Sequence, residues 1–138
     1  VPGAAMKVLI AEMTATADEL AGNAQLAGIA ANLKAAIAAQ QKAVDWILAN
    51  YENAPAAVHA GSVPFLKQTG IVVGGWLMAK SAAIAVQRLA EGSTDDFYKA
   101  KLATANYFAA HQLPFAEAYA AEVVAGADSV FELPEALF

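Results

Sequence analysis

The residue types that do chemistry are few in this sequence, and their spacing is poor for it. His59 and His111 are the only histidines. A carboxylate-bridged metal pair in a helical bundle needs Glu-x-x-His repeats on facing helices, and neither histidine has an acidic residue three positions before it. Cysteine is absent, which removes thiolate catalysis, disulfide scaffolding and cysteine-based zinc sites. Ser62, Ser81, Ser93 and Ser129 lie in cap or helix contexts, and no Gly-x-Ser-x-Gly elbow surrounds any of them. Asp95 and Asp96 are adjacent carboxylates. They follow Ser93-Thr94 at the start of a helical pattern, where capping and the helix dipole account for them better than acid–base catalysis does. Gly74-Gly75 is followed by Trp76, without the Lys-Ser pair or preceding strand of a phosphate loop. Gly70-x-x-x-Gly74 reads instead as a close-packing pattern for two helix backbones. No residue of this chain is therefore assigned a catalytic, cofactor-binding or metal-ligating role.

Aromatic residues offer the remaining opening. Phe97, Phe108, Phe115 and Tyr119 fall within a narrow arc when each residue advances about 100° around a helix. Such a stripe can stack a flavin or line an acyl pocket, but core packing is its commoner use and is expected here. Trp76 is expected to be a core or interface anchor.

Composition narrows the classes of partner. Of 138 residues, 59% are hydrophobic and 15% charged, with mean hydropathy +0.44; much of the excess is alanine, the strongest helix former. Around Trp76 the longest uncharged stretch runs from Gln68 to Ala79 between Lys67 and Lys80. A spanning helix needs about 20 apolar residues, so no membrane span is expected. Net charge is −5 and Arg88 is the only arginine, which argues against nucleic acid as a partner. A cytoplasmic location is the expectation. Val1-Pro2-Gly3 shows neither an initiator Met nor a signal peptide, so the chain reads as cut from something longer.

The elements that must position these residues are helices, because alternating β-branched runs are missing. A first helix is predicted from about Gly3 to Ala21, with Met6, Leu9, Ile10, Met13, Ala17 and Leu20 as its apolar stripe. Gly22-Asn23 should stop it, the glycine suited to a left-handed position. The second, about Ala24 to Asn53, carries the seam Leu26, Ala30, Leu33, Ile37, Gln40, Val44, Ile47 and Tyr51, stepping by four and three. Gln40 is its one polar intruder, expected to meet a polar neighbour or the bundle edge. Pro55 ends that helix or starts another, and Ser62 with Pro64 caps a third that runs to about Ala90 and stops at Gly92. From Phe65 to Val86 this helix is apolar nearly all round, so it is either central or covered by a partner. A last helix starts at Ser93, kinks near Pro114 and fades by Gly126; the tail Phe131–Phe138 should fold back onto the bundle. The whole predicts an all-α, up-and-down antiparallel bundle of about four long helices, in a single domain spanning 1–138.

Two stretches carry a family resemblance. Gly74-Gly75-Trp76-Leu77-Met78-Ala79 and Phe97-Tyr98-Lys99-Ala100-Lys101-Leu102-Ala103-Thr104-Ala105 resemble the extra C-terminal helical domain of FAD-dependent acyl-CoA dehydrogenases of the 3-methylmercaptopropionyl-CoA dehydrogenase-like subgroup. Tyr107-Phe108, Leu113-Pro114 and Ala125-Gly126-Ala127-Asp128 continue the match in order. It is good from about Phe65 to Phe138 and rests on helical pattern and length from Val1 to Ala60. The resemblance implies a structural and assembly domain of a flavoenzyme that oxidises an acyl-CoA thioester to the 2,3-enoyl-CoA. It also implies that FAD, the acyl-CoA pocket and the catalytic glutamate lie in upstream domains. Tyr51-Glu52 superficially matches a Tyr-Glu pair at the catalytic glutamate of some relatives. Asn53 stands where they have glycine, and the role is not transferred. The partners implied are those upstream domains and a second subunit. The full-length protein would be the enzyme and this fragment not. The competing reading is a free-standing adaptor bundle that offers its Trp76 face to a protein partner.

Overall fold

The computed structural model describes all 138 residues, Val1–Phe138. Helix α1 spans Ala4–Leu20, α2 Ala27–Asn50, α3 Pro55–Ala60, α4 Ser62–Ala90, α5 Asp96–His111, α6 Phe115–Val124 and α7 Asp128–Phe131, followed by a 3₁₀ turn at Glu135–Leu137. No strand is present. The start of α1 lies beside the end of α2, where Gly3 faces Leu48, and the start of α4 lies beside the end of α6, where Gly61 faces Val123. The long helices therefore alternate in direction, as the sequence pattern predicts, with α5 and α6 together forming the fourth.

Helix α2 is the hub. It packs on α1, α4, α5 and α6, and buries Ile29, Ala30, Leu33, Ala36, Ile37, Ala39, Gln40, Ala43 and Val44. Thirteen of the 29 buried residues are alanines, so the helices meet through short side chains and closely spaced backbones. Gln40, fully buried, donates from Nε2 to Thr69 Oγ1 of α4 at 3.2 Å, the polar neighbour expected for it. Tyr51, the last residue of the predicted seam, lies past the end of α2 and is exposed.

Several boundaries differ from the sequence expectation for local reasons. Gly22 is not left-handed. The turn after α1 is set by Asn23, whose side chain accepts from the Gln25 N–H at 2.9 Å, and α2 begins only at Ala27. Pro55 opens α3 at a position where its missing N–H costs nothing. The last helix is capped by Asp95, which accepts from Phe97 N–H at 2.9 Å, and not by Ser93 or Thr94. Gly92 and Gly126 do take positive φ, 92° and 74°, and end α4 and α6.

Pro114 divides the fourth helix as expected. With no N–H on Pro114, the Gln112 and Leu113 amides both donate to Phe108 O, and the chain restarts at Phe115 in a new direction. Gln68 of α4, also fully buried, donates to Ala116 O at 2.9 Å just past the break. The close approach in this region is made by Gly75 and not by the Gly70/Gly74 pair. A Cβ on Gly75 would run into Leu113, whereas one on Gly70 would meet nothing within 4 Å.

Candidate functional site

Helix α4 has two unlike sides. One buries Gln68, Val72, Gly75, Ala79, Ala82, Ala85 and Val86 against the rest of the bundle. The other leaves Val63, Leu66, Leu77 and Ile84 exposed, Leu66 by 72%. Val63, Gly70, Leu77 and Ile84 recur every seven residues, so this outward stripe keeps to one side of a helix about 43 Å long. By length and composition α4 would suit a membrane span. Its inner side is instead a bundle contact, and it carries Lys67, Lys80 and Arg88.

The flanks of the stripe are polar and aromatic. On the α1 side Trp76 is half-buried; its indole N–H donates to Thr16 Oγ1 at 2.8 Å, and Lys80 Nζ lies 4.7 Å from its ring centroid. Trp76 thus ties α4 to α1 and borders the open face, an anchor as expected. On the α5 side Phe97 is exposed, with Tyr98 edge-on at 5.5 Å and Lys101 Nζ 5.5 Å from its centroid. Between them and α4 lies a recess of about 160 Å³ lined by Ser81, Ile84, Phe97, Tyr98 and Lys101.

The predicted aromatic stripe does not assemble. Phe97 and Phe115 are 59% and 51% exposed, while Phe108 and Tyr119 are partly buried. Phe97 stands in the first turn of α5 and Phe115 opens α6 directly after the Pro114 break, and these are the two that are exposed. No two of the four rings are in stacking contact, so together they form no built platform for a flavin. His59 and His111 lie on separate helices, the latter stacked on Tyr107 at 4.6 Å. No three His, Asp or Glu side chains come within reach of one metal ion. Asp95 is engaged in its cap and Asp96 pairs with Lys99 at 3.1 Å. A cleft of about 400 Å³ at the end of the bundle, between Met6, Ile47, Val58, Phe65 and Leu66, is mainly apolar, with His59, Ser62 and Thr69 at its edge.

The signal for the open side of α4 lies in its all-round apolar composition. The recess is not legible in the sequence, because it depends on which turn of α5 meets Ile84. The closing segment also departs from expectation: every residue from Asp128 to Phe138 is exposed, so the tail does not bury its apolar side chains on the bundle.

Comparison with known proteins decides what kind of bundle this is. Residues 9–134 match the profile described as acetyl-CoA dehydrogenase C-terminal like. The chain belongs to that family. It is 44% identical over 101 residues to the 3-methylmercaptopropionyl-CoA dehydrogenase of Ruegeria pomeroyi, a match covering 72% of this chain and 17% of that protein. It is also 41% identical over 85 residues to the broad-specificity linear acyl-CoA dehydrogenase FadE5 of Mycobacterium tuberculosis, covering 59% of this chain and 14% of that one. The matched segment is thus about a sixth of the first relative's length and a seventh of the second's. The domain is a C-terminal acyl-CoA dehydrogenase domain.

Proposed function

We propose that this bundle serves assembly in an FAD-dependent acyl-CoA dehydrogenase that oxidises an acyl-CoA thioester to the 2,3-enoyl-CoA, and holds no active site of its own. In this reading FAD, the acyl-CoA and the catalytic base belong to upstream domains, and the outward face of α4 packs on those domains or on a second subunit. The observation that carries the reading is the set of exposed side chains Val63, Leu66, Leu77 and Ile84 along one side of α4 in a domain of this family. Large apolar side chains aligned on one exposed face mark an interaction surface.

The intact mass and visible spectrum of the native polypeptide test it, with hydrogen exchange along α4 as a second readout. A chain several times heavier than 14.2 kDa, with flavin absorbance and slow exchange at Leu66, Leu77 and Ile84, is the expected result. A colourless 14.2 kDa chain would overturn the proposal and favour a free-standing adaptor.

A further inference from the structure

We infer that the acidic, apolar segment Asp128–Phe138 of one copy docks in the groove between α4 and α5 of a second copy, seating an aromatic side chain in the recess at Ile84 and Phe97. The inference rests on the reading of α4 as an assembly face and names what covers it.

Two exposed surfaces of this chain are complementary. The closing segment exposes Val130, Phe131, Leu133, Leu137 and Phe138, carries Asp128, Glu132 and Glu135, and has no basic residue. Helix α4 exposes its apolar stripe, carries Lys67, Lys80 and Arg88, and has no acidic residue. In a chain of net charge −5, α4 alone is +3, which leaves −5 − 3 = −8 on everything else. Arg88 pairs with Glu91 and Lys99 with Asp96, whereas Lys67, Lys80 and Lys101 have no carboxylate partner. Glu19 of α1 lines a neighbouring recess with Lys80 and Ile84, so an acidic segment is directed to the α5 side, where Lys101 stands. The recess there, about 160 Å³, is of the size that takes one aromatic ring, the usual anchor of such contacts.

Reach places the contact between copies. The segment leaves the bundle near Ala57 and Trp46, at the end where α4 begins. Ile84 is 22 residues along α4 from Ser62, roughly 33 Å at 1.5 Å per residue. Phe131 is only four residues past Ala127 and reaches about 13 Å even when extended; Phe138 would need full extension and loss of both helical turns. Pairing α4 with α4 is the weaker alternative. The antiparallel twofold register that sets Val63 against Ile84 also sets Lys67 against Lys80 of the other copy, and like charges in apposition are unfavourable.

None of the 138 residues is cysteine, so within this domain the introduced thiols are the only ones. One preparation carries Phe131→Cys or Phe138→Cys and the other Ser81→Cys; mixed copies are treated with a short thiol cross-linker. The expected result is a hetero-cross-link whose yield falls by about fivefold or more at high salt or with Lys67→Glu and Lys101→Glu, as for a screened charge contact. A synthetic 128–138 peptide should compete with it. A cross-link only within one chain, seen in a dilute Ser81→Cys/Phe138→Cys variant, would overturn docking between copies. Absence of any cross-link while α4 stays protected from exchange in the native polypeptide sinks this inference and spares the proposed function; an unprotected α4 sinks both. All substituted positions are exposed or line the surface recess, and far-UV circular dichroism of each variant checks that the fold is retained.

Discussion

One added methyl group at Gly75 interrogates how α4 meets the break between α5 and α6. A Cβ there would stand 3.0 Å from Leu113 Cγ and 3.1 Å from Cδ1, with Cδ2 closer still. Leu113 is fully buried and cannot swing into solvent, and its backbone is held by bonds to Phe108 O and from the Ala116 N–H. Overpacking of this kind costs about 1–3 kcal/mol. Alanine in place of glycine inside a helix offsets about 1 kcal/mol of that. Gly75→Ala should therefore lose about 1 kcal/mol, near 3 °C in Tm for a chain of this length. Leu113→Ala alone should lose about 2–5 kcal/mol by opening a cavity. In the double variant the new methyl enters that cavity, so the pair should be at least about 1 kcal/mol more stable than the sum of the singles. Urea unfolding followed by tryptophan fluorescence measures all three. A stabilised Gly75→Ala whose effect adds simply to that of Leu113→Ala would refute the packing argument.

Three further outcomes follow from the same physical reasoning. Gln40→Met should leave stability within about 1 kcal/mol of the parent, because loss of the bond to Thr69 Oγ1 offsets removal of an Oε1 that has no hydrogen-bond partner; a loss of about 3 kcal/mol or more in denaturant titration would show that the carbonyl is satisfied. Asp95→Ala should cost about 1 kcal/mol and speed amide exchange in the first turn of α5, and unchanged exchange there would remove the assigned cap. Asp18→Asn breaks a 2.6 Å pair with Lys34, yet both side chains are largely exposed, so the midpoint should move by under about 1 kcal/mol.

Much of the bundle is legible in the amino-acid sequence, and the legible parts share a cause. The stripes Ile10-Met13-Ala17-Leu20 and Leu26 to Val44 are buried as predicted because a helix buries one side, and periodicity reports that side directly. Helix α4 shows how far this goes: composition reveals a missing polar face, but not whether the surplus lies inward or outward. Where two neighbouring residues are chemically equivalent, local pattern cannot choose between them. Ser93, Thr94 and Asp95 can each cap, and Gly70, Gly74 and Gly75 can each admit a neighbour; only the position of Phe97 N–H and of Leu113 decides. The aromatic residues depart from expectation for a different reason, since Phe97 and Phe115 stand in the first turns of α5 and α6. On the candidate site, the resemblance indicates the family that the profile match establishes, while the open stripe, the recess and the exposed tail arise from contacts between distant elements.

A core built so largely of alanine has an unusual mutational profile. In cores of leucine and phenylalanine, truncation is the damaging change, because large side chains leave large holes. Here Ala30, Ala36, Ala43, Ala79, Ala82 and Ala109 have one methyl each to lose. Each is also almost completely buried, so growth is the hazard. A deep substitution scan of these positions should tolerate glycine and serine better than valine or leucine. Natural variation in the family would then be confined to small residues along the inner seams and left freer on the outward face of α4, so that sequence drift reshapes what the domain binds before it reshapes how it folds.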